Sequence, residues 1–212
     1  MIKTIKSNYL WIIFFICVLL FLALAEDVFT HEIMKGDIIG YNLVSKYLIK
    51  TNVTPIVKYI TWFGSATCLI IISLLTFILK NKKISICILS NLVIVTLLNQ
   101  LFKFIFERPR PTEYRIITET GYSFPSGHSM VSMAFYGYII YLIYKNVNNK
   151  YIKWLVISIL SLLIVSIGIS RIYLGVHYTS DVLAGFLISI SYLIIYIKYT
   201  KKIIDKDSNY EK

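Results

Sequence analysis

The stretch WLVISILSLLIVSIGIS, Trp154–Ser170, carries no charged residue and is followed at once by RIYLGVHYTSD, Arg171–Asp181. A helix of roughly 20 mostly apolar residues is what a bilayer core requires. The first segment therefore predicts a membrane span, and the second places an arginine, a histidine and an aspartate at its end. Comparable uncharged runs occupy Ser7–Ala25, Tyr59–Leu79 and Ile84–Phe102. Another span lies between Thr120 and Tyr144, interrupted by His128, and the last runs from about Val176 to Ile197. Open sheets cannot cross lipid, so the expected fold is an all-α membrane bundle of six transmembrane helices.

Composition agrees. Of 212 residues, 57% are hydrophobic, more than the usual half of a soluble domain. No repeat, low-complexity linker or composition break divides the chain, so residues 1–212 read as a single membrane-embedded domain. The net charge of +11 raises nucleic acid as a partner, but a nucleic-acid binder gathers its basic residues on one face of a soluble domain. Here they fall in short pieces between apolar runs, so no nucleic-acid partner is expected. Cys17, Cys68 and Cys87 each lie inside an apolar run, which fits packing and neither a disulfide framework nor a metal site.

Orientation follows from the basic residues of alternate loops. The N-terminus, the loop Lys80–Lys83, the loop Lys145–Lys153 and the tail from Lys198 carry thirteen basic residues against three acidic ones, whereas the other segments carry nine against eight. Both termini and these two loops are thus expected in the cytoplasm, and the other segments outside. Ala23-Leu24-Ala25 before Glu26 resembles a signal-peptide cleavage site, but the 19-residue run exceeds the ~7–15 of such a peptide, which favours an uncleaved helix. Between the first two spans, Tyr41, Val44, Tyr47 and Leu48 have helical spacing and predict a segment lying along the membrane surface. His31 reads as a surface histidine.

Three polar groups remain, all assigned to the outer side by the loop count: Lys103 with Arg110-Pro111, Pro125-Ser126-Gly127-His128, and Ser170-Arg171 with His177 and Asp181. Four residues apart, His177 and Asp181 share a helix face. A carboxylate on one imidazole nitrogen fixes the tautomer and raises the basicity of the other, which makes a nucleophile toward phosphorus. The bland alternative is helix capping, yet an aspartate in a spanning helix costs up to ~3 kcal/mol at mid-membrane. Ser126 and Gly127 precede His128 at a helix start, where free amides favour an anion, although Pro-Ser also serves as plain helix punctuation. Lys103, Arg110 and Arg171 could hold a phosphate or snorkel toward headgroups. Arg108 and Arg115 read as snorkelling or headgroup-binding residues. Asn99 and Gln100, one turn before Lys103, either support a pocket or bond neighbouring helices.

Taken together, Lys103…Arg110-Pro111, Pro125-Ser126-Gly127-His128 and Ser170-Arg171…His177…Asp181 resemble the signature of the type-2 phosphatidic acid phosphatase superfamily, over residues 103–181. With each residue type used at about 5%, eleven matched positions in order are improbable by chance. The resemblance implies a membrane lipid phosphatase with its site at the outer face. In it His177 attacks phosphorus to form a phosphohistidine, Asp181 holds its ring, and His128 acts as acid and then base. Lys103, Arg110, Ser126, Gly127 and Arg171 hold the phosphoryl oxygens. It implies neither metal nor other cofactor; the vanadate of soluble relatives does not suit a six-span chain. The expected partner is a lipid phosphate: phosphatidic acid, phosphatidylglycerol phosphate or undecaprenyl diphosphate. Lysine- and isoleucine-rich composition looks bacterial and raises the last two. A phosphotransferase would use the same chemistry, whereas a transporter would place its ionisable groups near the midplane, and a non-catalytic lipid-binding relative would have lost His128 or His177. Oligomeric state is not encoded legibly.

Overall fold

A computed structural model describes residues 2–30, 33–78 and 81–207, with side chains for 8–30, 33–78 and 81–204; His31 lies outside the described residues. The described residues form α1 (Ile2–Phe29), α2 (Lys35–Leu48), α3 (Thr54–Trp62), α4 (Ala66–Leu75) with a 3-10 turn at Thr76–Ile78, α5 (Lys82–Phe106), α6 (Gly127–Asn146), α7 (Lys150–Tyr173) and α8 (Thr179–Asp207). No strand occurs among them. Side-chain caps set several boundaries. Asn81 accepts from the amides of Lys83 and Ile84, Asn149 from Tyr151 and Ile152, and Ser65 from Cys68, each satisfying donors that a helix start leaves free.

α1, α5, α7 and α8 are each long and apolar enough to cross a membrane, and α3 with α4 makes a fifth candidate. The chain is a multi-pass integral membrane protein on this ground, with Phe15, Leu19, Leu97 and Leu162 on its exposed surface. An apolar surface of this kind belongs against lipid rather than water. The sixth expected crossing, α6, has 20 residues but carries its polar groups inward: Ser129, Ser132, Tyr136 and Tyr138 are buried. It packs against α5, α7 and α8, so its modest apolarity reflects a central position in the bundle.

Three expected spans have different bounds in the structure. The run Tyr59–Leu79 is broken at Phe63–Ser65, where the axes of its two helices differ by 48°. At the break, a Cβ on Gly64 would lie 2.7 Å from Ile167 Cγ2 and 3.2 Å from His128 Cδ2, so only glycine lets α7 and α6 come so near. The expected span Thr120–Tyr144 begins its helix only at Gly127, because residues 120–126 form a loop. The last helix starts at Thr179 rather than Val176. α1 also runs beyond the apolar stretch Ser7–Ala25, through Glu26 to Phe29 without a break.

The main core, around Leu69, Phe135, Tyr138, Ile164 and Ile167, joins α4, α6 and α7, with Cys87 from α5 and Leu193 from α8. A second core puts Phe21 and Ala25 of α1 against Phe124 and Ala184. Phe21 stacks on Phe124 at 5.8 Å, and Phe106 meets Phe124 edge-on at 4.9 Å, which anchors the loop before α6 to the bundle. The α2 segment is helical as its spacing predicts. Its Val44 packs on Tyr173, Leu174 and Val176 at the end of α7.

Candidate active site

The last turn of α7 and the first of α8 build the centre. Leu174 caps α7, Gly175 (φ +69°) donates to the carbonyl of Ile172, and Val176 donates to that of Arg171. This pair of bonds around a left-handed glycine is a Schellman motif. A Cβ on Gly175 would also lie 2.4 Å from the carbonyl oxygen of Tyr114. The motif turns the chain sharply, so that Arg171 on α7 and His177 beyond the turn face the same space. α8 then starts with Asp181 at its third position, where Oδ2 accepts from the amide of Tyr178 at 2.9 Å. That is one half of a capping box. The same oxygen lies 3.3 Å from His177 Nδ1. His177 therefore meets Asp181 from just outside the helix rather than from a shared helical face.

The two ring nitrogens of His177 are told apart by their partners. Arg110 Nη1 lies 3.0 Å from Nε2, and a guanidinium can only donate. Nε2 is therefore the acceptor, and Nδ1 carries the proton toward Asp181. His177 is buried, and its pKa is lowered to about 4 by burial first and by the charges of Arg171 and Arg110, against the opposing pull of Asp181. The imidazole is neutral, with its lone pair on the pocket side.

In front of His177 lies a cavity of about 680 Å³, lined by Lys103, Arg110, Gly127, His128, Arg171 and His177, with Glu119 on its wall. Asn99, Gln100, Phe104 and Val131 extend the wall toward the α5–α6 face. Thus Lys103, Arg110, Gly127, His128, Arg171 and His177 come together as the sequence predicts. Asp181, fully buried, stands behind His177. Ser126 does not reach the cavity. Its buried hydroxyl caps α6, accepting from the Ser129 hydroxyl at 2.9 Å and the Ser129 amide at 3.4 Å. Gly127 follows as the first residue of α6, where a helix leaves its amide without an internal acceptor. A Cβ there would stand 3.0 Å from Asn99 Oδ1. Asn99 itself donates to the carbonyl of Pro125 at 3.2 Å, so it supports the loop that carries the histidine.

The cations are held differently. Arg110 donates to the carbonyls of Gly121, Val176 and Thr120 at 2.9, 3.0 and 3.1 Å, and Lys103 donates to that of Tyr122. Arg171 donates through Nη1 to Thr61 Oγ1 at 2.9 Å and through Nη2 to Glu119 Oε1 at 2.6 Å. Its buried Nε has no acceptor among the described residues. Burial pushes the Glu119 pKa up, but Arg171, with Arg110 and His177, holds it below the ordinary carboxylate value.

Arg108 overturns its sequence reading. It does not snorkel: it is buried, with Nη1 2.6 Å from Asp181 Oδ1 and 2.8 Å from Ser180 Oγ, and Nη2 2.9 Å from Asp37 Oδ2. The ring of Tyr178 lies 4.1 Å away. Arg115, by contrast, is exposed, bonding to Pro111 and Arg110 carbonyls. Sequence reasoning missed Asp37, Glu119, Ser123 and Thr61. Ser123 donates to Asp181 Oδ2 at 2.8 Å, completing the shell of that carboxylate. A faint signal existed for two of them: Asp37 is an acid between apolar residues at a helix start, and Glu119 stands nine residues before His128.

Residues 84–205 match the model of the PAP2 superfamily. The chain is 30% identical over 194 residues to phosphatidylglycerophosphatase B of Bacillus subtilis (strain 168), covering 87% of this chain and 93% of that one. It is 29% identical over 209 residues to undecaprenyl-diphosphatase of Sulfolobus acidocaldarius, covering 92% and 94%. The crystal structure of the first transmembrane PAP2-type phosphatidylglycerolphosphate phosphatase from Bacillus subtilis is similar with a TM-score of 0.76 and 28% identity, covering 88% of this chain and 95% of that one. The fold is also that of Aquifex aeolicus LpxE, with a TM-score of 0.63 at 24% identity over 75% and 93% of the two chains. The match over more than half of the chain, together with these relatives, makes the protein a member of the PAP2 superfamily.

Proposed function

We propose that this protein is a metal-independent lipid phosphatase working through a phosphohistidine, with residues 1–212 forming one membrane-embedded unit. The observation that carries the reading is His177. Its Nδ1 is tied to Asp181, and its Nε2 lone pair faces a cation-lined cavity that also holds His128. In the first step Nε2 attacks phosphorus, the N–P bond forms and the bond from phosphorus to the lipid oxygen breaks. His128 gives that oxygen its proton, and Asp181 stabilises the cationic phosphoimidazole. In the second step His128 takes a proton from water, whose oxygen attacks phosphorus. The N–P bond breaks, inorganic phosphate leaves, and His177 recovers its lone pair.

Lys103, Arg110, Arg171 and the Gly127 amide hold the phosphoryl oxygens, where charge grows in the transition state. An incoming phosphate replaces His177 as a partner of Arg110 and supplies an acceptor for the Arg171 Nε. The lipid character of the substrate is supported by the apolar helix surfaces around the site and by the printed names of the relatives, a phosphatidylglycerophosphatase and an undecaprenyl-diphosphatase. The apolar runs support six crossings, and the 19-residue length of the first supports an uncleaved helix; the distribution of basic residues supports both termini in the cytoplasm of a plasma-membrane protein and a site facing outward.

The test is phosphate release from phosphatidic acid, phosphatidylglycerol phosphate and undecaprenyl diphosphate by detergent-purified protein with EDTA, beside His177→Ala and His128→Ala. The reading expects EDTA-resistant release that is lost in both variants, and relative kcat/KM ranks the lipids. Loss of all release in EDTA, or full activity in His177→Ala, would contradict it.

A further inference from the structure

The charge cluster behind His177 reaches beyond the family-matched segment of residues 84–205, to Asp37 near the start of α2. Asp37 is buried, although α2 is otherwise a largely exposed helix. Both of its oxygens are committed to the site. Oδ2 accepts from Arg108 Nη2 at 2.9 Å, and Oδ1 accepts from the Ser180 amide at 2.8 Å, in the first turn of α8. Arg108 in turn gives Nη1 to Asp181 at 2.6 Å. The approach of α2 is fixed by Gly40, where a Cβ would stand 2.1 Å from Thr179 Oγ1. An unbroken series of bonds thus runs from Asp37 through Arg108 and Asp181 to His177.

From this geometry we propose that Asp37 is a positioning residue for phosphoryl transfer, acting on His177 through Arg108 and Asp181. Arg108 facing Asp181 alone would neutralise the carboxylate that His177 needs when its ring becomes cationic. Asp37 shares the guanidinium, so two carboxylates against one arginine leave a net negative charge behind the histidine. That charge offsets the positive ring of the phosphohistidine. It also holds Arg108 at a fixed distance, and so fixes which oxygen of Asp181 turns to Nδ1. Asp37 does not line the phosphate cavity, so ground-state binding of the phosphoryl group does not depend on it.

This inference rests on the phosphohistidine reading, and its test separates the two. In Asp37→Asn the acceptor for the Ser180 amide remains while the charge is lost. Steady-state kinetics on phosphatidylglycerol phosphate should show kcat lowered about 10- to 100-fold, the scale of a lost outer partner. KM and competitive inhibition by inorganic phosphate should stay within about twofold of wild type, as expected of a residue outside the binding wall. Asp37→Glu, with the charge retained, should recover part of kcat. Should Asp37→Asn fail to fold, Arg108→Lys reads the same series from the other side, since an ammonium keeps the charge but not the two-pronged contact. The same loss of kcat at constant KM is expected. Unchanged kcat in the folded variant, or a fall of phosphate affinity in step with kcat, overturns the proposal. An active His177→Ala would instead remove the reading beneath it.

Discussion

Two walls face the His177 ring, and they are built on opposite principles. Behind it, Asp181, Arg108 and Asp37 pair buried charges at 2.6–2.9 Å, and Ser123, Ser180 and the Tyr178 amide satisfy the oxygens that remain. In front, Lys103, Arg110 and Arg171 share the cavity with one carboxylate, Glu119, and the Arg171 Nε lacks an acceptor. Buried charge is tolerable when paired and costly when not. The rear wall pairs each of its charges, whereas the front sets three cations against one carboxylate, an excess of positive charge that suits an anion. Two arginines separated by a single proline, Arg108 and Arg110, fall on opposite sides of this division.

The division breaks if the walls respond alike to mutation. Arg171→Met, in front, should lower kcat/KM by about 10²–10³-fold, the usual cost of a lost transition-state donor. It should weaken inhibition by inorganic phosphate to a similar degree in the same assay. Arg108→Met, behind, should spare phosphate affinity but leave two buried carboxylates without their common cation. Removing one partner of such a pair costs about 3–5 kcal/mol, read as a fall in apparent Tm in detergent.

A subtler effect concerns protonation. Burial and the front cations keep His177 at about 4 rather than the ordinary 6.5, so its Nε2 is unprotonated near neutral pH. Its acid limb in the kcat/KM profile should lie near the lower value, with activity falling as pH drops through it. Arg110→Gln removes one opposing charge and should move that limb upward in a pH–rate profile or a histidine NMR titration. The smallest effect belongs far from either wall. Tyr192 has a buried hydroxyl with no partner among the described residues, and Tyr192→Phe should change stability by less than about 0.5 kcal/mol.

The sequence made the front of the site legible because its residues sit at helix ends in short, fixed spacings. Lys103 is in the last turn of α5, His128 in the first turn of α6, and Arg171 in the last turn of α7. Apart from Asp181, the back was hidden because its bonds are long-range: Arg108 and Asp37 are 71 positions apart. Arg108 looked like a snorkelling residue since its partners, Asp37 and Asp181, lie 71 and 73 positions away. Helix existence was readable from apolar runs, but their ends were not. The break at Gly64 and the late start of α8 depend on α7 and on the Asp181 side chain, neither of which periodicity reveals. Ser126, beside His128, is also the N-cap of α6, a helical duty that its place in the motif does not separate from a role in the site.

The central claim is that His177 itself carries the phosphoryl group. The direct measurement is acid- and base-stability of the enzyme-bound label after a rapid quench with ³²P-labelled lipid and EDTA, followed by mapping of the labelled peptide. The account predicts an acid-labile, base-stable phosphoramidate on the peptide containing His177, absent from His177→Ala and accumulating if His128→Asn slows the second step more than the first. A wild-type enzyme that turns over fully while no label is found on His177 would contradict it.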